Sequence, residues 1–209
     1  TGVNPEKITV TLESADELPK GNEPVDELIG KKFIMYIGRP TPHKNLRRLI
    51  DAFALLQKKY PDLTLALAGK KDSNYARHET YVNEHGIKNV VFTGFISDEQ
   101  LRWMYENTAV YCFPSLSEGF GLPGLEAMLH GAPVASSTAT CLPETHGDAA
   151  HYFDPFSVED IAKSIDDILS DDKLRNELVK KGKKHVKTFS WQRMAEQTLA
   201  VYEKYGRKG

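Results

Sequence analysis

The 209-residue chain has only two cysteines, Cys112 and Cys141, too few for a disulfide framework and without the spacing of a zinc site. In a chain of this size they are expected as reduced thiols of a cytoplasmic protein. Asp-x-Asp is absent, and none of the seven histidines has a partner at zinc-type spacing, so no metal is expected. An excess of one charge is absent too. Lys and Arg total 27 against 29 Asp and Glu, a net charge of −2, which removes the electrostatic case for a nucleic-acid binder and makes any anion site local. The longest apolar runs, residues 63–68 and 109–113, are of strand length, far below the roughly 18 residues that cross a bilayer. The first residues, Thr-Gly-Val-Asn-Pro-Glu-Lys, lack the basic and apolar regions of a secretory signal. Apolar residues at 40% and charged residues at 27% fit a soluble globular domain.

Within that frame, short apolar runs alternate with longer amphipathic segments, the pattern of an α/β protein with a doubly wound parallel sheet. Strands are predicted at 33–37, 63–68, 90–92, 109–113 and 133–136. Leu46, Leu49, Ile50, Phe53 and Leu56 recur at helical spacing on one face. Further helices are predicted at 74–85, after a Ser97–Gln100 capping box, from Leu122, and over 158–169 and 191–205 with Ser157 and Ser190 as N-caps. Residues 1–30 read as a linker with one leading strand, Ile8 to Leu12, and the globular domain as 31–209. The basic run from Lys173 to Lys187 reads either as a solvated helix face, balanced by nearby aspartates, or as a weak contact with an anionic surface.

Two segments carry chemistry. The first, Gly38-Arg39-Pro40-Thr41-Pro42-His43-Lys44-Asn45, leaves the first strand at the sheet edge where α/β proteins bind ligands. Gly38 allows a tight exit, Arg39 can pair with two phosphate oxygens and Lys44 adds a mobile charge, a set suited to a diphosphate; alternatively both cations face solvent. The second, Ser115 to Met128, runs from a strand through Glu118-Gly119-Phe120-Gly121 into a helix with Pro123 near its start. The backbone N–H groups of Phe120, Gly121 and Leu122 offer a phosphate site. Glu118 and Glu126 can each accept from hydroxyl pairs of a ribose or a hexose; read structurally, Glu126 caps its helix and Glu118 is solvated, and a glycosidase pair is a third reading.

Gly38-Arg39 with Lys44, Ser117-Glu118-Gly119-Phe120-Gly121-Leu122-Pro123 through Glu126-Ala127-Met128, and then Gly131-Ala132-Pro133-Val134, Leu142-Pro143-Glu144 and Gly147-Asp148-Ala149-Ala150 resemble the retaining, GT-B-fold glycosyltransferases of family four. The resemblance spans about residues 31 to 205. It implies a Rossmann-like half of a GT-B fold, the C-terminal donor domain of a mannosyltransferase-like enzyme that moves a hexosyl group from a nucleoside-diphosphate sugar, with GDP-mannose favoured, to a glycan or lipid-linked acceptor. It places Arg39, Lys44 and Glu118 in catalysis, Gly38, Phe120, Gly121, Leu122 and Glu126 on the donor, and Gly69, Phe95 and Ile96 around the base. No cofactor or metal is implied beyond the sugar nucleotide. The N-terminal acceptor domain is expected to be missing, leaving this half inactive alone, and the full-length enzyme to work in the cytoplasm with a peripheral contact at the inner membrane face. Two rival readings share the residues: a related sugar-nucleotide epimerase, and a non-catalytic binding module. Two departures stand out, Asn45 where the family often has Gly, and Glu13-Ser14-Ala15-Asp16 in place of an Asn-Gly turn.

Overall fold

The computed structural model describes residues 2–21 and 23–206. Six parallel strands form one sheet in the order β3-β2-β1-β4-β5-β6: β1 Phe33–Ile37, β2 Thr64–Ala68, β3 Val90–Gly94, β4 Val110–Phe113, β5 Val134–Ser137 and β6 Ala150–Phe153. The α-helices among the described residues are α1 Leu46–Leu56, α2 Ser73–Glu84, α3 Asp98–Asn107, α4 Leu122–Leu129, α5 Leu142–His146, α6 Val158–Ser170, α7 Asp172–His185 and α8 Trp191–Tyr205. The first five strands fall within a residue or two of the runs predicted from apolar content. β6 and the five-residue α5 were not foreseen, because Ala-His-Tyr-Phe at a sheet edge and a single helical turn carry no resolvable periodicity.

Two buried clusters sandwich the sheet. Ile34, Tyr36, Leu65 and Leu67 face α1 and α6 through Leu49, Phe53, Ile161 and Ile165, while Phe33, Met35, Tyr111 and Phe113 face α3 and α4 through Met104, Tyr105, Leu125 and Met128. Alternate residues of each strand thus serve opposite cores, which is why these strands read as continuous apolar runs. The capping box forms as predicted: Gln100 N–H donates to Ser97 Oγ and Ser97 N–H to Gln100 Oε1, both at 3.1 Å. Ser157 and Ser190 cap α6 and α8.

Two expectations for the N-terminal region are corrected. Ile8 to Leu12 forms no strand, although its alternating pattern suits one, because the sheet edges are β3 and β6 and neither pairs with it. The globular body also begins before Lys31: Val25 and Leu28, brought together by a 3₁₀ turn at Asp26–Leu28, are buried in the core with Phe33. Leu18 is pinned as well, its N–H donating to His130 Nε2 and its carbonyl accepting from Arg102. None of the residues of α8 is buried, and Leu199, Tyr202 and Tyr205 stand exposed along it. The basic run lies on α7 and the turn after it; there Lys181 pairs with Glu177 and Asp148. No helix among the described residues is long and apolar enough to cross a membrane.

Candidate functional site

Strand order reverses between β1 and β4, and the crevice at the carboxyl ends of such neighbouring strands is where doubly wound sheets hold ligands. The loops after these strands, residues 38–45 and 114–121, are the two chemistry-bearing segments. Gly38 and Gly69 end β1 and β2 with φ of +145° and +149°, a region that penalises a side chain. A Cβ at Gly69 would collide with the carbonyl of Gly38, so the two strand exits lie in direct contact. Tyr75 ties both together, its single hydroxyl proton shared between the carbonyls of Ala68 at 2.8 Å and Gly38 at 3.1 Å.

Loop 38–45 then turns through a 3₁₀ turn, Pro42–Lys44, into α1. Asn45 sits at φ +60°, a left-handed conformation that asparagine tolerates better than most residues. Its buried side chain donates to the carbonyls of Pro114 at 3.0 Å and Pro155 at 2.8 Å and accepts from Arg48. Leu116 N–H donates to the carbonyl of His43 at 2.7 Å. These bonds bring the two loops together, and Lys44 Nζ lies 2.6 Å from Glu118 Oε1. An ammonium has three donors, so this pair leaves two for a ligand.

Arg39 is placed differently from Lys44. It is 79% exposed, with Nε 3.7 Å from the carboxylate of Asp72, the N-cap of α2. Phe95, 85% exposed, and the half-buried Ile96 follow β3 at the same edge of the sheet.

Across the crevice, α4 starts at Leu122 with Gly121 at φ +103° and no side-chain cap. None of the N–H groups of Phe120, Gly121 and Leu122 has an acceptor among the described residues, and the helix dipole adds partial positive charge there. Glu126 lies one turn in and accepts from the buried Tyr105 hydroxyl at 3.3 Å. Burial raises its pKa, opposed by that hydrogen bond and reinforced by Asp16 and Asp98, so this carboxylate is short of donors. A cavity of about 670 Å³ adjoins the loop, lined in part by Leu12, Gly119, Phe120, Cys141, Glu144 and Phe189.

Several groups that shape the site carry no motif of their own in the sequence, and His146 reads there only as a loop histidine near the cleft. Asn45 was noted only as a departure, and Tyr105 not at all. Thr140, Cys141 and His146 hold the Glu118 loop from a neighbouring segment: Thr140 Oγ1 accepts from Glu118 N–H at 3.0 Å, and His146 Nε2 lies 3.2 Å from the carbonyl of Gly121. The hydroxyls of Tyr36 and Tyr111 and Ser115 Oγ are buried without a partner among the described residues. No group of three or more His, Cys, Asp and Glu that could hold a metal occurs among the described residues.

Comparison with known proteins places this site in context. Residues 21–185 match the family described as glycosyl transferases group 1. The chain is 35% identical over 182 residues to O-antigen chain mannosyltransferase B of Escherichia coli, covering 85% of this chain and 47% of that protein. It is 33% identical over 207 residues to MMP alpha-(1->4)-mannosyltransferase of Mycolicibacterium hassiacum, covering 97% of this chain and 49% of that one. The crystal structure of the C-terminal domain of the group 1 glycosyl transferase LpcC from Francisella tularensis superposes with a TM-score of 0.68 at 31% identity, over 78% of this chain and 88% of that domain. The chain thus spans about half the length of the curated relatives it matches.

Proposed function

The chain belongs to the group 1 glycosyl transferases, and on that premise we propose that it is the donor-binding half of a retaining, metal-independent hexosyltransferase that uses a nucleoside-diphosphate sugar, GDP-mannose in the first instance. The observation that carries this reading is the convergence of Lys44, Glu118 and the uncapped N-terminus of α4 on the crevice between β1 and β4. In this reading Lys44 and the α4 amides take the diphosphate, with Arg39 closing over it by releasing its long contact to Asp72. Glu118 and the backbone at Phe120 and Gly121 take the hexose, and Glu126, short of donors, takes the ribose hydroxyls. Gly69, Phe95 and Ile96 border the base.

The chemistry follows from charge. As the glycosidic bond lengthens, negative charge grows on the diphosphate and positive charge on the sugar; fixed cationic groups at the phosphate stabilise that separation without reorganising. The acceptor attacks from the face the diphosphate leaves, giving retention. It would be held by the remainder of the enzyme, for which the exposed face of α8 with Leu199 and Tyr202 supplies a docking surface. The two mannosyltransferases support mannose as the sugar, and a glycan or lipid-linked acceptor fits the same relatives.

Product analysis of the full-length protein with GDP-mannose tests the reading. A glycosylated acceptor with retained anomeric configuration is expected; an isomerised donor would mean an epimerase, and bound but unchanged donor a binding module.

A further inference from the structure

The donor loop is held from outside by one short segment. Ser137 Oγ donates to the carbonyl of Ser115 at 2.6 Å. Thr140 Oγ1 both accepts from Glu118 N–H at 3.0 Å and donates to the Glu118 carbonyl at 3.2 Å, which also receives Cys141 Sγ at 3.3 Å. His146 reaches the far end. Because the Gly121 carbonyl can only accept, Nε2 must carry the proton, and Nδ1 then accepts from Ser136 Oγ at 3.2 Å. The segment Ser136–His146 therefore grips the loop at Ser115, Glu118 and Gly121 in turn.

Two features show that this grip is built in. Thr140 stands at φ +49°, a region that a β-branched residue enters only under strain, and its hydroxyl makes both bonds to Glu118 from that conformation. The His146 ring, completely buried, fills the space that the missing Cβ of Gly124 leaves, and a Cβ at Gly121 would come within 3.3 Å of Nε2. The ring is thus wedged under the first turn of α4. It is neutral, since burial above all, with His185 adding, holds its pKa down at about 4 against the opposing pull of Glu118 and the Gly121 bond.

We propose that Thr140 and His146 are positioning residues for the donor: Thr140 sets the peptide planes on both sides of Glu118, at the sugar end of the loop, and His146 sets the Gly121 carbonyl, and with it the Leu122 N–H, at the phosphate end. The proposal rests on the donor-domain reading above. It follows that Thr140 acts on sugar recognition and His146 on the nucleotide as a whole.

Thr140→Val, His146→Phe and His146→Gln test it in this chain, with calorimetry against GDP/GDP-mannose, UDP/UDP-glucose and ADP/ADP-glucose; the tightest-bound pair serves as probe. Thr140→Val is expected to weaken the sugar nucleotide about tenfold and to leave the bare diphosphate within about twofold. His146→Phe is expected to weaken both about tenfold, and His146→Gln, whose amide can still donate to Gly121, to return to within about threefold of the parent. Amide exchange without any probe gives the ligand-independent arm: Thr140→Val should speed exchange at Glu118 about tenfold and leave Ile34 in β1 unchanged.

If the parent binds none of the probes, the donor-domain reading fails, and the exchange rate at Glu118 alone decides for or against the grip. If the parent binds and neither Thr140→Val nor His146→Phe differs from it, the positioning roles are overturned while the donor-domain reading stands. Should His146→Phe not fold, Thr140→Val carries the decision by the same two readouts.

Discussion

Lys44 Nζ and Glu118 Oε1 lie 2.6 Å apart across 74 residues of sequence, joining the loops that follow β1 and β4. The pair is half-buried, so it is screened less than a surface ion pair. It places a cation and a carboxylate where one sugar nucleotide could use both.

Lys44→Ala should weaken nucleoside-diphosphate binding by about 1.5 to 3 kcal/mol, the scale of a charge-assisted hydrogen bond. Arg39→Ala should cost less in this chain, because the guanidinium is largely exposed and must be ordered on binding. Calorimetry on the two variants gives the order, and a larger loss for Arg39 would move the centre of the phosphate site toward α2.

The two acids should separate by ligand. Glu126→Ala is expected to weaken bare diphosphate and sugar nucleotide alike, since both carry ribose, by about 1 to 3 kcal/mol. Glu118→Gln, which keeps the shape of the side chain, should affect mainly the sugar nucleotide. Equal losses for both ligands in Glu118→Gln would reject that division.

Asn45 gives a stability prediction. Asn45→Ala removes two hydrogen bonds to buried carbonyls and keeps a left-handed backbone, for a loss of about 3 kcal/mol. Asn45→Gly loses the same bonds while relieving the backbone, and should recover about 1 kcal/mol of that. Urea denaturation of the two variants measures the difference, and identical midpoints would show that the φ of +60° costs nothing.

The buried His146 makes stability depend on pH. Its folded pKa of about 4 lies below its ordinary 6.5, so between these values the unfolded chain binds a proton that the folded chain does not. The contribution is complete above pH 6.5, falls as pH drops toward 4 and is flat below, a total of about 3 kcal/mol. Denaturation of the parent and His146→Gln between pH 7 and 4 should show the steeper fall in the parent; parallel curves would mean that the histidine is not held neutral.

How much of this was legible in the sequence depends on the range of the interaction. Strands β1 to β5 and the caps at Ser97, Ser157 and Ser190 announce themselves through neighbours only a few residues away. The two site loops were legible because the strand-to-helix junctions at Gly38 and Gly121 bring glycine and charge to the same sheet edge. The grip of Thr140 and His146 was not, because it joins residues more than twenty apart through a strained φ and a buried ring, neither of which leaves a local pattern. Ile8 to Leu12 failed for the complementary reason: a strand pattern does not make a strand without a neighbour to pair with.

The most direct test of the central claim is calorimetric titration of this chain, in EDTA, with GDP-, UDP- and ADP-sugars, repeated on the Arg39→Ala/Lys44→Ala double variant. The account predicts saturable binding of at least one sugar nucleotide by the parent without metal, and loss of that binding in the double variant. No binding by the parent, or undiminished binding once both cations are gone, would contradict it.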